Sequence, residues 1–192
     1  YDDPIDILVH LMIGSEGTLG FISEITYRTV EDPLHKASAL VLFDQLAAAC
    51  RAVTRLKATP VAAVELLDRA SLRAVQHQPG MPPTLGALLA DGAALLVEVR
   101  AETPVALALK TEAARQALAA AGPAAPPAFT TDAAEAAALW AVRKGIFPAV
   151  GAVRPVGTTV VIEDVAFPVE RLAEALADLQ RLFVAHGYPD AI

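Results

Sequence analysis

The chain has 192 residues, 55% of them hydrophobic, and carries 15 Lys and Arg against 22 Asp and Glu, a formal charge of −7. That length supports one substantial core or two small ones, and the alanine-rich composition is that of a globular rather than a disordered protein. The acidic balance without any basic block argues against a nucleic-acid footprint, the single cysteine (Cys50) excludes an internal disulfide or a cysteine-ligated metal or iron–sulfur centre within the chain, and no apolar run reaches the roughly 18 residues of a membrane span.

In chain order, residues 2–6 read as extended, and residues 5–12 as a short apolar segment ending in a glycine turn. Residues 21–30 alternate as a strand, and 36–43 read as a second, buried strand. Residues 44–57 follow as an amphipathic helix with Asp44 as its N-cap, and Cys50 falls inside this pattern as a small buried hydrophobe. A strand over 60–66, a helix over 68–77, a proline- and glycine-rich loop over 78–83 and a short helical stretch over 84–90 come next. A strand over 94–100 leads to a long alanine-rich helix over 103–121, with Pro104 in the first turn, where proline is tolerated. The glycine and prolines of 122–127 break it. Residues 128–130 read as a short strand, and Thr131-Asp132 opens a helix ending near Gly145. A strand over 158–166 and a helix over 168–186 complete the pattern, with a return strand expected to begin near Asp190.

Between residues 36 and 130 the order is β-α-β, a helical insert, then β-α-β. This is a ferredoxin-like split βαβ unit, an α+β fold with an antiparallel sheet and helices on one face. Because the chain opens on Tyr1 and stops just after a turn, it reads as a piece of a longer protein.

Three stretches could carry chemistry. In Gly14-Ser15-Glu16-Gly17-Thr18-Leu19-Gly20, three glycines lie within seven residues. Glycine allows positive φ and close backbone approach, and consecutive amides in such a turn can cradle an anion. The spacing matches neither a G-x-G-x-x-G fingerprint nor a P-loop, so a ligand-touching turn and a plain turn feeding a strand stand side by side. In Trp140-Ala141-Val142-Arg143-Lys144-Gly145, Trp140 and Arg143 share a helix face. By spacing alone, Arg143 and Lys144 are accounted for by the negative end of the helix dipole, although the guanidinium fork of Arg143 also suits a carboxylate. Near the end of the 158–166 strand, Glu163 and Asp164 point to opposite faces and cannot act as an acid–base dyad. His10, His35, His77 and His186 show no metal-ligand spacing.

The glycine segment and the Phe21-Ile22-Ser23-Glu24 that follows it resemble the stretch closing the flavin domain of FAD oxidoreductases of the vanillyl-alcohol-oxidase type. The Trp-x-x-Arg-x-Gly pattern at 140–145 and the Glu-Asp-x-x-x-Pro pattern at 163–168 are similar to the branch containing D-lactate dehydrogenase, glycolate oxidase and D-2-hydroxyglutarate dehydrogenase. The resemblance implies that residues 1–32 are the tail of an FAD-binding domain, including its last strands, and that 33–192 are most of the C-terminal cap, truncated at its end. It implies FAD, lined by Gly14, Ser15, Glu16, Gly17, Thr18, Leu19, Gly20 and Ile22. It gives Arg143 the substrate carboxylate; by the chemistry of the residues themselves, Arg154 would supply a second positive charge and Asp164 a mainly structural role, ordering Arg143 or Arg154.

The activity implied is oxidation of a D-2-hydroxy acid, D-lactate foremost, to the 2-oxo acid, with electrons passed to a cytochrome, quinone or iron–sulfur acceptor. A divalent metal and an iron–sulfur cluster, if used, would be bound outside residues 1–192, so no metal ligand and no catalytic base is assigned here. The 192 residues alone would be inactive, the location cytoplasmic or peripheral at the inner face of a membrane, and a homodimer is left open. Glycolate and D-2-hydroxyglutarate are the rival substrates. Some relatives in the D-2-hydroxyglutarate branch carry a lysine near the position of Ile162, a departure that weakens a direct transfer of their substrate preference. A rival of another class is a non-catalytic ferredoxin-like module for binding or oligomerisation.

Overall fold

A computed structural model describes residues 1–77, 85–86, 88–153, 156–157 and 165–188. The chain divides into two units, residues 1–32 and 33–192.

The larger unit is built on three antiparallel strands, β1 (His35–Phe43), β2 (Ala63–Leu67) and β3 (Ala93–Ala101), in the order β1-β3-β2. β3 is central and pairs Ala39 of β1 with Val97 and Leu66 of β2 with Leu95. Beyond the free edge of β1, Ser38 and Thr130 exchange both backbone hydrogen bonds at 2.9 Å. The 128–130 segment therefore takes the fourth place, next to β1, and the order is that of the expected split βαβ unit.

Strand alternation puts successive side chains on opposite faces. On one face, Ala37, Ala39, Val41 and Phe43 of β1 join Ala93, Leu95, Val97, Val99 and Ala101 of β3 in a fully apolar layer. It is covered by α2 (Leu46–Leu56) and α4 (Pro104–Ala119), through Ala49, Ala52, Leu56, Leu107, Ala114 and Leu118. The small alanines let the helix backbones approach the sheet closely. On the other face, Leu40, Leu42, Leu67 and Ala94 pack against α3 (Arg69–Val75), Leu85 and α5 (Ala133–Val153). The two crossover helices thus share one face as expected, while α3 and α5 add a layer on the opposite side.

Local chemistry starts most of these helices. Thr103 accepts from the Ala106 amide at 3.2 Å ahead of Pro104, Asp68 from Ser71 at 2.8 Å, and Asp132 from Ala134 and Glu135 at 2.9 and 2.8 Å. Asp44 does not cap α2. Gln45 stands at the cap without a side-chain bond, and the Leu46 amide instead donates to the Asp91 carbonyl at 2.8 Å. A tertiary contact satisfies the orphan donor that a local side chain was expected to take.

Helix α5 runs through both Gly145 and Pro148 to Val153 rather than stopping near Gly145. Glycine costs a helix interior about 1 kcal/mol and proline about 3. The stripe of Val142, Ile146 and Ala149 packed against the α3 side of the sheet outweighs both. After a 3₁₀ turn at Val169–Arg171, α6 (Leu172–Ala185) is tied back to α2 by Lys57 Nζ–Glu170 Oε1 at 2.6 Å and by Thr54 Oγ1 donating to the Val169 carbonyl at 3.2 Å. The expected loop over 78–83, most of the strand over 158–166 and the return strand near Asp190 lie outside the described residues.

In the smaller unit, residues 4–6 are helical rather than extended. Asp3 caps α1 (Pro4–Met12), accepting from the Ile5 amide at 2.6 Å, with Pro4 at the first helical position. The pair Asp3-Pro4 is a helix start, which its extended reading overlooked. Residues 21–30 form no strand. Alternation alone does not satisfy a strand's backbone, and residues 1–32 contain no second strand for it to pair with.

Cys50 is 1% exposed, and burial pushes its thiol up from the usual value. Thiolate is the reactive form. A thiol-specific disulfide reagent is therefore expected to leave the native protein untouched over minutes and to titrate one thiol once denaturant is added. Full reaction without denaturant would show that α2 opens readily.

Candidate functional site

The second face of the sheet is apolar except at one end. Along β3, Glu98 and Arg100 lie on that face, opposite Ser38 and Lys36 of β1. Across the other edge of β3, Ala63 pairs with Glu98 and Glu65 with Leu96, which sets Glu65 one pleat from Glu98 on the same face. Glu98 is 7% exposed. A buried carboxylate is costly unless partnered. Here Arg100 Nε donates to Oε1 at 2.5 Å, and the Ser38 hydroxyl donates to Oε2 at 3.4 Å. Ser38 Oγ in turn accepts from Trp140 Nε1 at 3.3 Å, which ties α5 to the sheet.

One turn further along α5, Arg143 Nε stands 3.5 Å from Glu65 Oε2. Trp140 and Arg143 thus reach the same sheet face, as their spacing predicts. Arg143 lies at the middle of a 21-residue helix, so the helix-end dipole does not explain it. Its side chain is 53% exposed and that of Glu65 38%. An ion pair this open is worth at most about 1 kcal/mol, so Arg143 is held only lightly and its guanidinium remains accessible to a small acid. Arg154, the other expected substrate residue, lies outside the described residues, as do Glu163, Asp164 and Ile162.

Ser38, Glu65, Glu98 and Arg100 were not among the residues singled out by sequence. Their signal was present: Glu65 in Ala-Val-Glu-Leu-Leu and Glu98 in Leu-Val-Glu-Val are lone carboxylates inside otherwise apolar strands. Such an interruption marks either an exposed face or a partnered polar site, and only the register shows which.

In the glycine segment, Gly14 and Gly17 both have φ of +75°, and a Cβ built on either meets nothing within 4 Å, so the backbone conformation and not crowding calls for glycine there. Glu16 between them has φ of +49°, a conformation that costs a residue with a side chain roughly 1–2 kcal/mol. The turn is closed by the Ser15 amide on the Met12 carbonyl at 3.2 Å and the Thr18 amide and hydroxyl on the Ser15 carbonyl at 2.9 and 2.6 Å. Local strain of this kind gathers where a backbone must face a ligand.

A split antiparallel sheet thus carries, on its second face, a half-exposed guanidinium paired with Glu65 and a Ser38–Glu98–Arg100 polar network. The chain belongs to the FAD-linked oxidases: residues 32–191 match the family described as FAD linked oxidases, C-terminal domain. Among curated proteins, the glycolate oxidase subunit GlcD of Escherichia coli (strain K12) is 32% identical over 161 residues, covering 80% of this chain and 30% of the relative. GlcD of Bacillus subtilis is 29% identical over 173 residues, 86% of this chain and 34% of the relative. The mitochondrial D-lactate dehydrogenase [cytochrome] of Arabidopsis thaliana is 41% identical over 75 residues, 38% of this chain and 13% of the relative. The chain spans at most about a third of the length of these relatives. Both the family resemblance and the α+β ferredoxin-like reading are borne out. No described helix is long and apolar enough to cross a membrane.

The glycine segment fits an FAD contact. It joins positive-φ glycines to an open backbone turn, and Leu19, Phe21 and Ile22 beside it are 58%, 93% and 47% exposed.

Proposed function

We propose that this chain is part of an FAD-dependent dehydrogenase that oxidises a D-2-hydroxy acid, D-lactate foremost, to the 2-oxo acid. The observation that carries the reading is Arg143: a half-exposed guanidinium at mid-helix, paired with Glu65 on the sheet face that also carries the Ser38–Glu98–Arg100 network. A network that costs stability to bury is expected where it positions a functional group. Arg143 neutralises and orients the substrate carboxylate, and Trp140 holds its helix against the sheet through Ser38. Arg154 would add a second positive charge. Residues 1–32 would be the tail of the FAD-binding domain, with Gly14, Ser15, Glu16, Gly17, Thr18, Leu19, Gly20 and Ile22 along the cofactor. When bound, FAD would supply the redox chemistry as hydride acceptor, with a cytochrome, quinone or iron–sulfur partner as the onward electron acceptor. A catalytic base, any divalent metal and any iron–sulfur cluster would come from outside residues 1–192.

A second reading, oxidation of glycolate by the same machinery, is favoured by the two GlcD relatives, which cover most of this chain. Anaerobic titration of the full-length protein separates the cases. Bleaching of a flavin band near ~450 nm by D-lactate but not L-lactate is the expected result. Bleaching by glycolate alone moves the substrate to the second reading. A flavin band that responds to neither acid overturns both.

A further inference from the structure

We propose that Glu98 is a positioning residue for Arg143, acting through Ser38 and Trp140 on the rotation of α5. The inference rests on the reading of Arg143 as the carboxylate partner and adds what aims that residue. None of residues 133–140 is buried, and Val142 is the first buried side chain of α5. Val142, Ile146 and Ala149 then pack towards α3. Apolar packing is non-directional, so this stripe sets how closely α5 lies on the sheet more firmly than how it is rotated. Rotation is what matters for Arg143. A side-chain tip about 6 Å from a helix axis moves about 2 Å when the helix turns by about 20°. A shift of about 1 Å at a binding group can cost roughly a hundredfold in rate.

A directional contact fixes the rotation. Trp140 lies three residues before Arg143 on the same helix face, and its Nε1 donates to Ser38 Oγ at 3.3 Å. An indole N–H can only donate, so the Ser38 oxygen is the acceptor and its one hydrogen goes elsewhere. That hydrogen goes to Glu98 Oε2 at 3.4 Å. The other oxygen, Oε1, accepts from Arg100 Nε at 2.5 Å, and a guanidinium likewise only donates. Glu98 thus receives a donor on each oxygen, and the donors run one way from the indole to the carboxylate. Both bonds to Ser38 are long, so the chain depends on this ordering more than on the strength of either link. Ser38 is fully buried, and bulk water cannot take over its bonds. Glu98 therefore holds the Ser38 hydroxyl in the one orientation that leaves a lone pair for Trp140, and Trp140 holds α5 at the rotation that presents Arg143.

The test measures kcat and KM of the full-length flavoprotein for D-lactate or glycolate, whichever bleaches the flavin. Trp140→Phe keeps a ring and drops the N–H. Glu98→Gln keeps the shape, but Arg100 can bond only to its one oxygen, so its amide NH2 faces Ser38 and the Ser38 hydrogen loses its acceptor. Each variant is expected to raise KM about three- to tenfold, the range that one hydrogen bond contributes, with the flavin-to-protein ratio unchanged. The deciding readout is coupling. In an Arg143→Ala background neither change is expected to lower kcat/KM further, because both act through the group already removed. A merely structural defect multiplies with Arg143→Ala instead. A KM within twofold of wild type in either folded variant, or an effect that multiplies, overturns the proposal. Should Glu98→Gln fail to fold, Trp140→Phe carries the test alone. An unchanged KM in Arg143→Ala itself removes the reading of Arg143 and the inference with it, whereas a raised KM there beside unmoved Trp140 and Glu98 variants sinks the positioning role alone.

Discussion

Replacing Arg143 with alanine in the full-length flavoprotein is expected to raise the KM for the hydroxy acid about ten- to a hundredfold while the flavin stays bound. Charge-assisted hydrogen bonds contribute about 1.5–3 kcal/mol each, which sets that range. The folded structure loses little in the exchange, because the pair with Glu65 is more than a third exposed on both sides and such pairs are worth at most about 1 kcal/mol. Arg143→Lys should fall between, since lysine keeps the charge and loses the planar fork. Steady-state kinetics together with the ratio of flavin to protein absorbance check this. A KM within twofold of wild type in the alanine variant would return Arg143 to the role of a surface ion pair.

Leu95→Ala is expected to destabilise the domain by about 2–5 kcal/mol. Leu95 is fully buried at the centre of β3, with Val41 and Leu66 as its register partners and α2 and α4 packed over it. The neighbouring side chains belong to three strands and two helices and cannot all close on the vacated space, so a cavity cost adds to the lost burial. Domains of this kind are stable by about 5–15 kcal/mol, and the loss is a large share of that. Urea denaturation followed by circular dichroism measures it. Val105→Ala, at a 72% exposed position on α4, serves as the comparison and should shift stability by less than about 0.5 kcal/mol. Similar midpoints for the two variants would mean that the β3 layer is not the core of this unit.

The parts of the fold legible in the sequence are those written in local chemistry. Short apolar runs mark β1 and β3. Pro104 after Thr103, and Asp132 ahead of an alanine run, mark where α4 and α5 begin, and the caps form as those residues suggest. The order of elements is enough for the split βαβ architecture. Local signals also misled. Residues 21–30 alternate like a strand and form none, because a strand needs a partner that its own unit lacks. The sequence predicts a helix end near Gly145, yet α5 continues through Gly145 and Pro148, because the contacts of Val142, Ile146 and Ala149 outweigh propensity.

By itself the sequence determined the element order between residues 36 and 130, the family through its glycine and Trp-x-x-Arg patterns, and Arg143 as a group worth testing. Only the tertiary structure decided what surrounds Arg143. Ser38 meets Glu98 across 60 residues of chain and Trp140 across 102, and Glu65 reaches Arg143 from an edge strand. The reason is physical: periodicity and caps act over one or two turns of chain, whereas these partners are brought together by strand register, where a slip of one residue would turn Glu65 and Glu98 to the opposite face and leave Arg143 over an apolar surface.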